Sequence, residues 1–397
     1  MRAATLLACA CAVVAGCGGG RDAHDRTAAD AATDAPGADA VPSDLADTGL
    51  YSDLASQTLA PGVHPYTPAF SLFADGALKS RWIFLPPGAQ IDASNLDDWT
   101  FPVGTKLWKE FRHDITRPDG SVAPDQRIET RMLWKRGDTD WAMVAYVWST
   151  DQTTATLASE ITPPPVPFPG TTDYEVPVLR CKTCHDGRRD KVLGFELALL
   201  AAPEADQAGM TWSELQAEHL VQDGLPDASR LQFLPAVTAA GSGSDAGSGS
   251  DAGSNAGSNA PSQVALERAA IGYLHVNCGI ACHHASSGQV VPFFMRLEVG
   301  SAGAFPQTIA DTTAFQTAVD VPSLFVPASD SSISFRIRPT DPARSTLSYR
   351  MGVRTGLTGG GEQMPPIATH EIDRDGLALI DAWIASMTAA PYPAPSP

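Results

Sequence analysis

Cys181-Lys182-Thr183-Cys184-His185 and Cys278-Gly279-Ile280-Ala281-Cys282-His283 each set two cysteines just ahead of a histidine. Two thiols so placed reach the two vinyl groups of a porphyrin, and the adjoining histidine puts its imidazole on the iron. The spacing predicts two covalently attached haem c groups, with Cys181, Cys184, Cys278 and Cys282 as attachment residues and His185 and His283 as iron ligands. The first motif has two residues between its cysteines and the second three, so the second loop must pucker to present its sulfurs.

Met364, in Gly361-Glu362-Gln363-Met364-Pro365-Pro366, is the expected sixth ligand of the second iron. Glycines let that loop approach a ring, prolines fix its backbone, and a thioether ligand raises the potential of the iron. For the first iron the choice among Met210, His219 and Met351 stays open, as does a five-coordinate iron. His275 and His284 read as surface or structural residues, and Met351 as packing beneath the second haem. Other chemistries fit the cysteines too: a redox disulfide of the Cys-x-x-Cys type, or four thiolates holding one zinc ion. A zinc site does not require a histidine after each pair, whereas haem ligation does. No Ser-His-Asp order, phosphate loop or paired-carboxylate signature is found.

Elements must position these loops, and the chain of 397 residues is uneven in what it supplies. Residues 1–16 read as a lipoprotein signal peptide: Arg2 precedes a short apolar stretch that ends in Val14-Ala15-Gly16-Cys17, a lipobox with Cys17 as the lipidated residue. Several acyl chains anchor a protein durably, at about 0.8 kcal/mol per buried methylene. The expected location is therefore extracytoplasmic, on a membrane facing the periplasm, the outer membrane first, or at the cell surface. A net charge of -18, from 45 acidic and 27 basic residues, excludes a phosphate-rich partner and suits a basic redox partner protein.

Residues 17–60 are rich in Ala, Asp, Gly and Thr and are expected to be a disordered tether. Residues 61–162 hold six of the eight tryptophans and alternate as strands do, with Ile128, Thr130, Met132 and Trp134 on one face of a strand. Gly137-Asp138 predicts a hairpin turn into Trp141–Trp148. An antiparallel sandwich or barrel is expected there. A proline-rich linker, 163–176, leads to the first haem-binding segment, 177–238, in which Val192–Leu200 reads as helical and Thr211-Trp212-Ser213-Glu214 as a capping box opening a helix that stops near Gly224. A Gly/Ser-rich linker, 239–262, has an expected span of about 25 Å. The last domain, 263–390, opens on a helix from Val264 into Cys278 and closes on a helix from Arg374 to Met387, with Phe293–Val299 and Ile333–Arg338 as short strands between. Residues 391–397 form a tail. The expected fold class is α+β and multidomain, an N-terminal antiparallel β-rich domain followed by a mainly α-helical, cytochrome c-like haem region.

Over residues 65 to 388 the chain resembles a family of bacterial exported di-haem c-type cytochromes, many of them lipoproteins, whose related modules accompany quinoprotein sugar dehydrogenases. The resemblance is carried by Leu72-Phe73-Ala74-Asp75-Gly76-Ala77-Leu78-Lys79-Ser80-Arg81-Trp82-Ile83, Phe101-Pro102-Val103-Gly104-Thr105, Cys181 to His185 with Leu193-Gly194-Phe195, Tyr273 to Cys278, Ser345 to Met351, Met364-Pro365-Pro366 and Trp383-Ile384. It implies one haem on Cys181, Cys184 and His185, another on Cys278, Cys282, His283 and Met364, and extracytoplasmic electron transfer. The family has a two-residue gap at the second site, where this chain has three. Two other functions compete: a di-haem peroxidase or oxidase with an open iron, and a surface binding module whose exposed tryptophans grip a ligand while the cysteines, or zinc, brace the fold.

Overall fold

The structure, a computed structural model, describes residues 40–117, 119–158, 181–201, 209–227, 262–285, 291–300, 304–306, 308–355, 361–367 and 369–388. β1 (Tyr51–Asp53) and β2 (Thr58–Leu59) form a two-stranded ribbon. β3 (Val63–Pro65), β4 (Leu78–Phe84), β5 (Lys106–Thr116), β6 (Val122–Lys135), β7 (Trp141–Trp148) and β8 (Ala155–Leu157) form one antiparallel sheet in chain order. The β6–β7 hairpin turns at Gly137-Asp138 and pairs Lys135 with Trp141, as its sequence predicts.

Cross-strand register aligns Trp82, Trp108 and Met132 on one face, where they join Tyr146 and Trp148 in a core closed by Leu45, Leu50 and Tyr51. Those last three residues lie within the stretch read as tether. Residues 44–59 instead form a short 3-10 helix, Leu45–Thr48, capped by Asp44, and the β1–β2 ribbon. The segment orders because its few apolar side chains all meet the tryptophan face, and its polar groups find partners there: Lys106 Nζ donates to Thr48 O at 2.7 Å, and Tyr146 OH to Pro42 O at 3.0 Å. Among the described residues the second sheet of the expected sandwich is thus only this ribbon.

The other sheet face carries Ile83, Leu107 and Leu133 in one row and Arg81, Lys109 and Arg131 in another. Its apolar row enters a second, larger core that continues through the helical part to Ile384 and Met387. From Val41 onward the chain is one compact unit, so the sheet and both cysteine-bearing segments share that core. Each segment is too short to bury enough surface alone, and shared burial supplies what each lacks. Of the six tryptophans of the sheet region, Trp99, Trp108, Trp141 and Trp148 are buried and Trp82 and Trp134 are half-buried. None offers the exposed aromatic platform that a surface binding module needs.

The helices are α1 (Cys181–His185), α2 (Leu197–Leu200), α3 (Trp212–Ala217), α4 (Gln263–Leu274), α5 (Thr313–Ala318), α6 (Thr346–Met351) and α7 (Arg374–Ser386). α3 opens on the expected capping box: Thr211 accepts from Glu214 N, and Glu214 accepts from Thr211 N at 2.7 Å. It ends at Ala217, short of Gly224, and only the last four residues of Val192–Leu200 are helical. α4 and α7 run antiparallel, tied at one end by Gln263 Nε2 to Ser386 Oγ at 3.0 Å and at the other by Tyr273 OH to Asp373 Oδ2 at 2.9 Å. Phe293–Val299 and Ile333–Arg338 are not strands. Their backbone groups go to loops and to isolated bridges such as Pro322 with Phe335 and Val319 with Ile337. No helix among the described residues is long and apolar enough to cross a membrane. The leader with Cys17, the proline-rich linker, the Gly/Ser linker up to 261 and the 391–397 tail lie outside the described residues.

Candidate functional site

The second motif begins inside a helix. α4 runs on into a π-helical turn, His275–Gly279, and the winding persists: Ile280 N donates to His275 O at 2.9 Å and His283 N to Cys278 O at 2.8 Å, each spanning five residues. A turn closed across five residues holds one more than an α-turn. The third residue between Cys278 and Cys282 is taken up this way, so the two cysteines still lie about one turn apart. Gly279 permits the close approach of the next segment, since a Cβ there would lie 2.6 Å from Arg296 N.

Cys278, Cys282, His283 and Met364 all line one cavity of about 220 Å³, although Met364 comes from a distant loop. Phe73, Tyr273, Phe293, Phe325, Leu347 and Met351 are among the residues of its wall, and the space is largely apolar. His283 Nδ1 lies 3.1 Å from Phe293 O. A carbonyl only accepts, so Nδ1 carries the proton and Nε2 keeps its lone pair for a metal. Burial holds the imidazole pKa below its ordinary value, which favours this neutral form. Burial pushes the Cys278 thiol up to about 12, so it is a protonated thiol with little nucleophilicity of its own.

The Met364 loop is held from several sides. Met364 N donates to Arg350 O at 2.8 Å, Arg350 Nε donates to Glu362 O at 2.8 Å, and Arg350 Nη2 donates to Gly361 O. Beyond the loop, buried Asp75 accepts from His370 N and Glu371 N, both at 2.9 Å. Phe73 N donates to Asn277 Oδ1 at 2.7 Å, which ties the same segment to the residue before Cys278. Three cations, Arg336, Arg350 and Arg354, and one anion, Asp373, line the largely apolar space. Sulfurs, a neutral imidazole, a thioether, aromatic walls and a surplus of positive charge fit a porphyrin with two carboxylates.

The first motif forms α1, with Cys181, Cys184 and His185 half-buried against the charged row of the sheet. His185 Nδ1 lies 2.5 Å from Lys191 O, so it presents Nε2 as His283 does. Burial lowers its pKa to about 4. The loop after it is anchored by Asp190, whose carboxylate meets Lys135 Nζ at 2.8 Å and accepts from Phe101 N. Lys109 stands near His185, its pKa well below the ordinary value through burial and through Arg81, Lys79 and Arg131 beside it. This donor set also fits haem attachment. Met210 is packed in the main core, His219 is exposed beside Asp223, and Met351 lines the second cavity.

Among the described residues no disulfide joins the cysteines of the two motifs. Among the described residues no group of three or more Cys, His, Asp or Glu side chains is placed to hold a metal ion. His275 and His284 are both buried. Leu297 N donates to His275 Nδ1 at 3.0 Å, which puts that ring's proton on Nε2, 2.9 Å from Glu196. Although burial opposes it, Arg188, Arg296 and His275 hold the Glu196 carboxyl well below the ordinary range.

Asn277, Phe73, Asp75 and the three arginines are absent from the sequence-derived site. Arg350 and Arg354, on either side of Met351, carried a readable signal; Asp75, in a segment ascribed to the sheet, did not. Comparison with family models, with curated proteins and with solved structures finds no match to this chain.

Proposed function

We propose that this chain is a lipid-anchored di-haem c-type cytochrome that relays electrons outside the cytoplasm, with a basic redox protein as its partner. The observation that carries the reading is the convergence of Cys278, Cys282, His283 and Met364 on one largely apolar cavity. A thioether from a distant loop shares that cavity with a histidine and two thiols, the donor set that a haem c takes. When bound, haem c supplies a reversible one-electron couple.

The chain's own residues do the rest. Cys181, Cys184, Cys278 and Cys282 would hold the group; His185 and His283, each fixed through Nδ1 on a backbone carbonyl, would offer Nε2 to the metal. Met364, on the same cavity, would supply the thioether ligand at the second site, a donor that suits relay over catalysis. Arg336, Arg350 and Arg354 balance carboxylates, and the aromatic wall excludes water. Cys17 is assigned the lipid anchor on its sequence pattern, and the outer membrane or cell surface as the location follows from it.

The test is mass spectrometry of purified, matured protein together with its reduced and oxidised spectra. Two haem-bearing peptides, one per motif, and a diacylglyceryl group on Cys17 are expected. Met364→Leu should keep both haems and lower the potential of one. Unmodified cysteines in correctly matured, export-competent protein refute the reading.

A further inference from the structure

Cys184, the second cysteine of the first motif, lies beside Cys282, the second cysteine of the second motif, and their sulfurs are within hydrogen-bond reach. The loops that carry them are clasped independently of this contact. A Cβ on Gly187, two residues after His185, would stand 2.7 Å from His284 Nε2 and 3.9 Å from Ala281 O. A side chain at Gly187 would have to displace the buried His284 ring. Behind them Glu196 pairs with Arg188 from the first loop, lies 3.5 Å from Arg296, and meets His275 at 2.9 Å. These groups are all buried, so the network fixes the two loops against each other.

We infer that the two attachment sites form a single two-haem unit joined at Cys184 and Cys282, across which an electron passes directly from one haem to the other. The inference rests on the proposed loading of both motifs. A thioether bond fastens each sulfur to the rim of its macrocycle, so neighbouring sulfurs make neighbouring rims. Cys184 and Cys282 also each immediately precede the ligating histidine, which brings the iron-binding ends of the two loops together. Transfer oxidises one iron from ferrous to ferric as it reduces the other, and neither a proton nor a co-reactant enters.

The matured full-length protein tests this. Intact mass counts the haems, and circular dichroism in the Soret band reads their contact, because two touching porphyrins give a two-signed couplet and isolated ones give single-signed bands. Two haems per chain and a couplet are expected. Replacing Cys278 and Cys282 together by alanine should remove one haem and abolish the couplet, leaving a single-signed band. Gly187→Val, which wedges the loops apart, should keep both haems and weaken the couplet. Two haems without a couplet overturn the inference and leave the proposed function standing. Fewer than two haems in the native protein overturn the loading and this inference with it, and a disulfide between Cys184 and Cys282 in matured protein overturns the inference.

Discussion

Breaking the ion pair between Lys135 and Asp190 should do more damage than removing any surface charge. Lys135 is 1% exposed and Asp190 2%. The ammonium meets both carboxylate oxygens at 2.8 Å and Phe101 O at 2.8 Å, while Asp190 also accepts from Phe101 N at 2.5 Å. Asp190→Asn leaves a buried ammonium without its counter-charge, and Lys135→Met leaves a buried carboxylate with one amide donor. Each should cost about 3–5 kcal/mol. Lys135→Met with Asp190→Leu removes both charges and orphans only the Phe101 backbone groups, at about 1–3 kcal/mol apiece. The double variant should therefore fall well short of the summed singles. Urea unfolding followed by tryptophan emission measures this, since Trp141 packs against Phe101 near the Lys135 ammonium. Because Asp190 anchors the loop behind His185, amide exchange over residues 181–191 should also quicken in each single variant. Additive singles, or singles each under about 1 kcal/mol, would refute the argument.

Three further outcomes follow from particular residues. Burial raises Glu110 from 4.5 to about 7, so the folded state holds this proton more tightly than the unfolded chain; its contribution, about 3 kcal/mol, is whole below 4.5 and lost as pH rises through 7. Glu110→Gln should flatten that part of a stability–pH profile measured by denaturation. Gly272→Ala would place a methyl 2.2 Å from Phe70 Cζ, and overpacking of about 1–3 kcal/mol should outweigh the gain in helix propensity, lowering the melting temperature. Asp75→Asn weakens a charged acceptor of two amides and should cost about 1.5–3 kcal/mol, with faster amide exchange across 361–371.

What could be read from the residues follows the range of the forces involved. The β6–β7 hairpin, the Thr211 capping box and the α4 and α7 helices depend on local alternation, turn chemistry and periodicity, and their positions emerge within a residue or two. The place of Met364 on the cavity was legible because glycines and prolines around a methionine are a poor recipe for a core. The ordering of residues 44–59 was not, since their composition is that of a tether and only the distant tryptophan face recruits them. Phe293–Val299 has strand-like residues, yet lacks a partner edge, so tertiary contacts override propensity. The meeting of Cys184 with Cys282 was beyond any local pattern, as was the reach of Asp75 to His370.

One core spanning Tyr66 to Met387 also sets a schedule for the growing chain. The last helix supplies Trp383 and Ile384 to that core, and its capping residue Asp373 borders the cavity that holds Cys278 and Cys282. Until this terminal segment has been made and delivered, neither cysteine-bearing loop has its full packing, and non-local closure of this kind is slow. Cys278 and Cys282 thus stay more accessible until α7 is in place, and a truncation that removed only the final helix would leave one side of their cavity uncovered.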